Sequence, residues 1–345
     1  MKVLVNSQDK VYLTSGNKAL KAKEKCGLTI GDFIGNIDSN NTLQKPTQEI
    51  VADFSGVEDV GGYALQYKFA GTQNISSVSF PDLTTLSSSY SIQYLCFNNS
   101  SIVSVSFPEL LSVTGSYSMY QAFYACRIVS ITFPKLVSVS GDYAFYQAFS
   151  GQQTALISVS FPELTAITGT AAFSSAFPND TALESVSFPK LTTVSGNSAF
   201  SSAFQNIKIT EIEFPELTSI SAAYNQPAFG STFMNCKELT TARFPKLSTL
   251  EMTGGSTSGS SISGCFASCP LLEDIYFNAL TTTSFVGSIW QFNAMFNTSS
   301  MSTSGNVNIH FPSNLQATIQ GLQGYPNFGA TAGRVTLLFD LPATS

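Results

Sequence analysis

Charge is scarce in this chain and histidine nearly absent: charged residues are 11% of the 345, and His310 is the one histidine. A histidine base beside a Ser or Cys nucleophile has only that place to form, and no acid or nucleophile stands at a motif spacing around it. In a repeated strand position, His310 reads as a plain surface histidine. No phosphate-cradling glycine loop, zinc spacing or calcium loop appears. The expectation is a protein that is not an enzyme, with no catalytic residue, no metal and no cofactor.

Long apolar runs are missing too. No segment approaches the roughly 20 apolar residues of a membrane span, which speaks against membrane insertion. The N-terminal MKVLVNSQDKVYLTSG holds no stretch long enough for a signal peptide. The expected location is nevertheless extracellular, on a cell surface or a virion, reached from a trimmed chain or by another route, for instance inside a virion. A net charge of −6 argues against a nucleic-acid partner. So little charge with so much Ser and Thr resembles an extended β-rich surface protein more than a cytosolic enzyme.

What the chain has is a period. Phe-Pro stands at Phe80, Phe107, Phe133, Phe161, Phe188, Phe214 and Phe244, at steps of 27, 26, 28, 27, 26 and 30 residues. A period of this size marks a solenoid whose coils bury their apolar faces only by stacking. In the coil LESVSFPKLTTVSGNSAFSSAF, Leu183, Val186 and Phe188 follow L-x-x-V-x-F, whose second half alternates as a short strand. Pro189 ends it, because proline has no N–H for a ladder. Leu191 and Val194 carry the buried set onward, and Gly196 is expected to supply a bend at positive φ. Ala199-Phe200 and Ala203-Phe204, four apart, place both rings on one side of a helical turn. Phe54 marks a degenerate first coil, as terminal repeats require.

Six cysteines are present. Cys126, Cys236 and Cys269 each stand three after a phenylalanine, a slot for a small buried thiol. Cys265 and Cys269 are the pair close enough to bridge locally.

Segments such as AFYACRIVSITFPKLVSVSG (122–141) and TFMNCKELTTARFPKLSTL (232–250) resemble BspA-like leucine-rich repeats, of approximate pattern A-F-x-x-C-x-x-L-x-x-I-x-I-P-x-x-V-x-x-I-G. The resemblance covers about 50–312. It implies a right-handed repeat solenoid, mainly β with short helical turns, of about nine to ten rungs of 26–34 residues, found mostly in surface adhesins and recognition proteins. The coils here are about four residues longer than the pattern, through the doubled Ala-Phe element. The expected division is an N-terminal cap or attachment segment over 1–48, the solenoid over 49–312, and a C-terminal cap over 313–345 ending in RVTLLFDL. MKVLVNSQDKVYLTSG reads as two short strands around a Ser-Gln-Asp turn. The insertions at 252–264 and 296–306 are expected to project.

Strand alternation turns two residues per rung outward. Five rungs present hydroxyls, from Ser77 and Ser79 to Ser185 and Ser187. The next four present Glu211 and Glu213, Thr241 and Arg243, Asp274 and Tyr276, Asn308 and His310. Variety at a position held constant elsewhere suits a binding surface. The candidate ligand-binding residues are therefore Glu211, Glu213, Arg243, Asp274, Tyr276 and His310, facing a cell-surface protein or glycan. After each proline a second column alternates in sign from Glu109 through Lys135, Glu163, Lys190 and Glu216 to Lys246, which sets register between rungs. Two function classes stand: recognition or adhesion, on a bacterial surface or a phage tail, and a homo-oligomeric structural protein whose solenoids pack together.

Overall fold

The computed structural model describes residues 54–281 except 55, 72–74, 100, 152–155, 224–225 and 254–260, together with 294–296, 306–321 and 334–344. For strands at 2–5, 11–15, 18–20, 50–53 and 251–253 the backbone alone is described. Strands β1 (Lys2–Val5), β2 (Val11–Ser15) and β3 (Lys18–Leu20) form an antiparallel ribbon, and the first two are those read from the sequence. Every described strand pairing after them is parallel.

One wall carries β4 (Ile50–Asp53), β5 (Ile75–Ser79), β7 (Ser104–Ser106), β9 (Ser130–Thr132), β11 (Ser158–Ser160) and β13 (Ser185–Ser187). It continues through β15 (Glu211–Glu213), β17 (Thr241–Phe244), β19 (Asp274–Phe277), β20 (Val307–Pro312) and β21 (Val335–Leu341). The chain bends at each proline into a second wall: β6 (Thr85–Leu86), β8 (Ser112–Val113), β10 (Ser138–Val139), β12 (Ala166–Ile167), β14 (Thr193–Val194), β16 (Ser219–Ala223) and β18 (Thr249–Thr253). That wall is one ladder in strict order, whereas the first divides into three: β4 to β9, β11 with β13, and β15 to β21.

The core is built of columns. The phenylalanine preceding each bend stacks on its counterpart one rung away, from Phe54 on Phe80 at 4.4 Å to Phe311 on Phe339 at 5.9 Å. Phe188 lies between Phe161 at 5.2 Å and Phe214 at 5.8 Å, with the edges of Phe200 and Phe204 closing its sides. The in-pointing aliphatics stack likewise, Val159 over Val186 and Ala242 under Ile275 and Ile309. β21 is one more rung, with Val335, Leu337 and Phe339 against the core.

The third wall departs from expectation. The four-residue Ala-Phe spacing does bury Phe200 and Phe204, but through a ribbon of turns, not a helix. Every fourth residue takes a left-handed backbone, as at Ser198 (φ 52°), Ser202 (φ 53°) and Asn206 (φ 62°). Alternate amides then point to different partners. Phe145, Gln147 and Phe149 donate to Ala172, Ser174 and Ala176 on the next rung, while Tyr146, Ala148 and Ser150 donate back three residues. An α-helix would spend all these amides within the segment. Here half of them stitch the rungs together, which a short segment with two neighbouring rungs gains more from.

Gly196 is also used differently. Its φ lies outside the left-handed region, and a Cβ there would overlap the carbonyl oxygen of Gly169. Gly169 meets Gly141, and Gly141 meets Gly115, in the same way. The column demands absence of a side chain, because adjacent rungs approach backbone to backbone.

Cys126 and Cys236 occupy the expected buried slot. Their Sγ atoms donate to the carbonyls of Cys96 (3.1 Å) and Phe204 (3.3 Å) one rung below. Cys265 and Cys269 are buried and free rather than bridged. The insertions expected to project lie largely outside the described residues, at 254–260 and 297–305.

Candidate recognition site

The strand wall places the six singled-out residues on consecutive rungs. Parallel register sets Glu211 beside Thr241, Asp274 and Asn308 in one outward column, and Glu213 beside Arg243, Tyr276 and His310 in the next. Side chains link them into a chain. Arg243 Nη1 lies 3.3 Å from a Glu211 oxygen and its guanidinium carbon 5.3 Å from the centre of the Tyr276 ring. Tyr276 in turn stacks on His310 at 4.2 Å, with planes 12° apart.

His310 is not the plain surface histidine of the sequence reading: it is 8% exposed. Its Nδ1 stands 2.9 Å from Asp340 on β21, and its Nε2 3.1 Å from Asp274 on β19. Ionised carboxylates only accept, so both ring nitrogens donate when the imidazole carries its second proton. The histidine thus clamps three rungs. Asp274 also accepts from Asn308 Nδ2 at 3.0 Å. Its partial burial alone would raise its pKa, but the bonds from Asn308 and His310 and the charges of His310 and Arg243 hold it below the usual 3.8.

Glu211 and Glu213 have a second role. Between β13 and β15, where two ladders of the wall end, the surface opens into a cleft of about 360 Å3 lined by Glu184, Ser185, Ser187, Thr210, Glu211 and Glu213. Val186 at its floor is 8% exposed, against 1% for Ile212 and 0% for Ala242. The acidic cleft and the Arg243–Tyr276–His310 column adjoin at Glu211. Chemically this surface offers hydrogen bonds, charge of both signs and an aromatic ring.

A profile described as BspA type Leucine rich repeat region matches the chain in 6 copies, over residues 64–202, 120–226 and 149–318. The chain belongs to the BspA-type leucine-rich repeat family. Such solenoids are in general protein-interaction and adhesion scaffolds without enzymatic activity, and are typically surface-associated or secreted. No curated protein matches the chain. No helix among the described residues is long and apolar enough to cross a membrane. Read as a BspA-type solenoid, the chain varies its surface in two places, and the sequence reading saw only one.

The other is the turn wall. Tyr63, Tyr90, Tyr117 and Tyr143 stack in one column at 4.8, 5.0 and 4.8 Å. Beside it Tyr67 stacks on Tyr94 at 4.6 Å and Tyr120 on Tyr146 at 5.3 Å, joined by an edge-to-face contact of Tyr94 with Tyr120. The signal was present in sequence, since these tyrosines keep the solenoid's own period. A helical turn, which the four-residue spacing fits equally, gives no assigned face to a ring two or three residues from a buried phenylalanine.

Proposed function

We propose that this protein is a non-enzymatic recognition or adhesion protein, displayed outside the cell or on a virion, which meets a cell-surface protein or glycan through the strand wall of its C-terminal third. The observation that carries this reading is the relay from exposed Glu211 through half-buried Arg243 and Tyr276 to buried His310, on rungs where the serine ladder stops. Arg and Tyr are residue types that concentrate binding energy at interfaces. Glu211 (side chain 72% exposed) and Arg243 (41%) gain little from each other in water, so a partner's groups compete for them at small cost.

The test is an adsorption or binding assay on intact cells with two paired variants. Arg243→Ala with Tyr276→Ala is expected to lower binding at least tenfold, while Ser104→Ala with Ser158→Ala leaves it unchanged. Loss confined to the serine pair, or equal loss in both, overturns the assignment. Mass spectrometry of purified virions and of intact-cell surface fractions tests the location.

A second reading, self-packing of solenoids, is favoured by one feature. Val103 (42%), Val129 (51%) and Ile157 (58%) form an exposed aliphatic column beside the serine ladder. Sedimentation at rising protein concentration separates the two readings: a monomer throughout removes the second.

A further inference from the structure

The turn wall of the first four rungs has the makings of a binding surface of a different chemical kind. Nine of the thirteen tyrosines stand there, and from the fifth rung the same slots hold Ala171, Ser175, Ser198 and Ser202. The tyrosines are not needed for the wall to form, since Ser and Ala take the same left-handed backbone at those slots. Tyr63 (φ 58°), Tyr90 (φ 60°) and Tyr117 (φ 56°) hold bulky side chains in a region that disfavours them. Nor are they buried for the core: Tyr63 is 55% and Tyr67 38% exposed, and the others are half-buried.

The surface is close to charge-free. Over 61–71, 88–99, 115–127 and 141–151 the ionisable side chains besides tyrosine and cysteine are Lys68, which is buried, and Arg127 and Asp142. Gln66 bonds to Gln93 at 2.8 Å, and Gln121 to Gln147, adding amides between the rings. Burial and mutual proximity push the phenols of Tyr94, Tyr117 and Tyr146 upward, so their hydroxyls stay neutral. At centroid spacings of 4.6–5.0 Å and near-parallel planes the rings are slipped past one another. Tyr143, followed in its slot by Ala171, ends the column.

We propose that this tyrosine wall is a second binding site, and that it takes an extended, neutral polysaccharide laid along the solenoid axis. A rung advances by about the length of one pyranose unit in an extended chain, so successive sugars meet equivalent rings and hydroxyls. An extended polypeptide brings a side chain to one face only every ~6.7 Å and falls out of step within two rungs. Neutral sugars ask for no charge to be desolvated, and their hydroxyls and C–H faces match phenol hydroxyls, amides and aromatic carbon. Single contacts of this kind are weak, and four rungs in series give the binding its strength.

The experiment is affinity gel electrophoresis of the whole chain through soluble neutral polysaccharides (glucan, mannan, xylan and galactan), with hyaluronan as the charged control. Retardation by at least one neutral polymer and none by hyaluronan is expected. Tyr90→Ser with Tyr117→Ser copies the residue of the equivalent slot at Ser198, so the fold is kept and the dissociation constant rises at least tenfold. Tyr90→Phe with Tyr117→Phe keeps the rings and loses only part. Ser104→Ala with Ser158→Ala, on the strand wall and outside both sites, leaves retardation unchanged. The proposal is overturned if no neutral polymer retards the chain, if the Tyr→Ser pair binds as well as the parent, or if that pair loses a protein ligand instead.

Discussion

Phe188 shows what one residue contributes when every neighbour is a copy of itself. Its ring touches Phe161 and Phe214 along the stack and two further rings edge-on, with no exposure. Phe188→Ala opens a cavity that neither adjoining rung can fill without leaving register, so denaturant unfolding is expected to report a loss of about 3–5 kcal/mol. A loss below ~1 kcal/mol contradicts the packing. The thiols give a second residue-scale test. Burial pushes Cys126 and Cys236 up to about 12, and each Sγ is buried against a carbonyl of the rung below. Both should ignore maleimide in native buffer and react on unfolding. These two predictions rest on features plain in the sequence, because the Phe-Pro and Phe-x-x-Cys spacings fix slots in one coil. Gly196 was not legible in the same way: its constraint comes from the carbonyl of Gly169 a full rung away.

At the scale of elements, the strands and bends were readable because Val-x-Phe-Pro encodes direction, burial and termination within four residues. The turn ribbon was not, since a spacing of four fits a helix and this ribbon equally. Only the inter-rung hydrogen bonds of alternate amides decide between them. The clamp on β19, β20 and β21 was beyond sequence as well, because Asp340 reaches His310 from a different rung. It makes a testable pH dependence. Asp274 has a folded pKa below the unfolded value of about 3.8, so its ionised form stabilises the fold. That contribution is fully present above ~4 and is lost as pH falls through the lowered folded value. Thermal melts from pH 6 to pH 2 should lose stability in that acid range, and Asp274→Asn should flatten this part of the curve while lowering the plateau. An Asp274→Asn chain with the parent's acid limb would mean that the clamp contributes nothing.

Stacked rungs can slip as well as stack, and at the scale of the whole molecule the alternating charge column bears on that. Core columns of Phe and Val hardly distinguish one rung from the next, so a chain shifted by one whole period keeps most of its apolar packing. The charges do distinguish parity: Lys135 meets Glu109 at 2.6 Å, Lys190 meets Glu163 at 2.7 Å and Lys246 meets Glu216 at 2.7 Å. These pairs are about half exposed, worth ~0.2–1 kcal/mol each, too little to hold a fold but enough to bias register. Deleting residues 161–187 joins Ser160 to Phe188, keeps every core column and sets Lys135 beside Lys190. Deleting 133–187 removes two rungs, joins Thr132 to Phe188 and sets Glu109 beside Lys190. If the column encodes parity, added salt raises the melting temperature of the one-rung deletion by screening the like pair, and leaves unchanged or slightly lowers that of the parent and the two-rung deletion. Lys190→Gln in the one-rung deletion removes the like pair without placing a carboxylate beside Glu216, and should abolish the gain from salt. Identical salt responses in all three chains would show that the ion pairs are ornaments of a register already set by the glycine and phenylalanine columns.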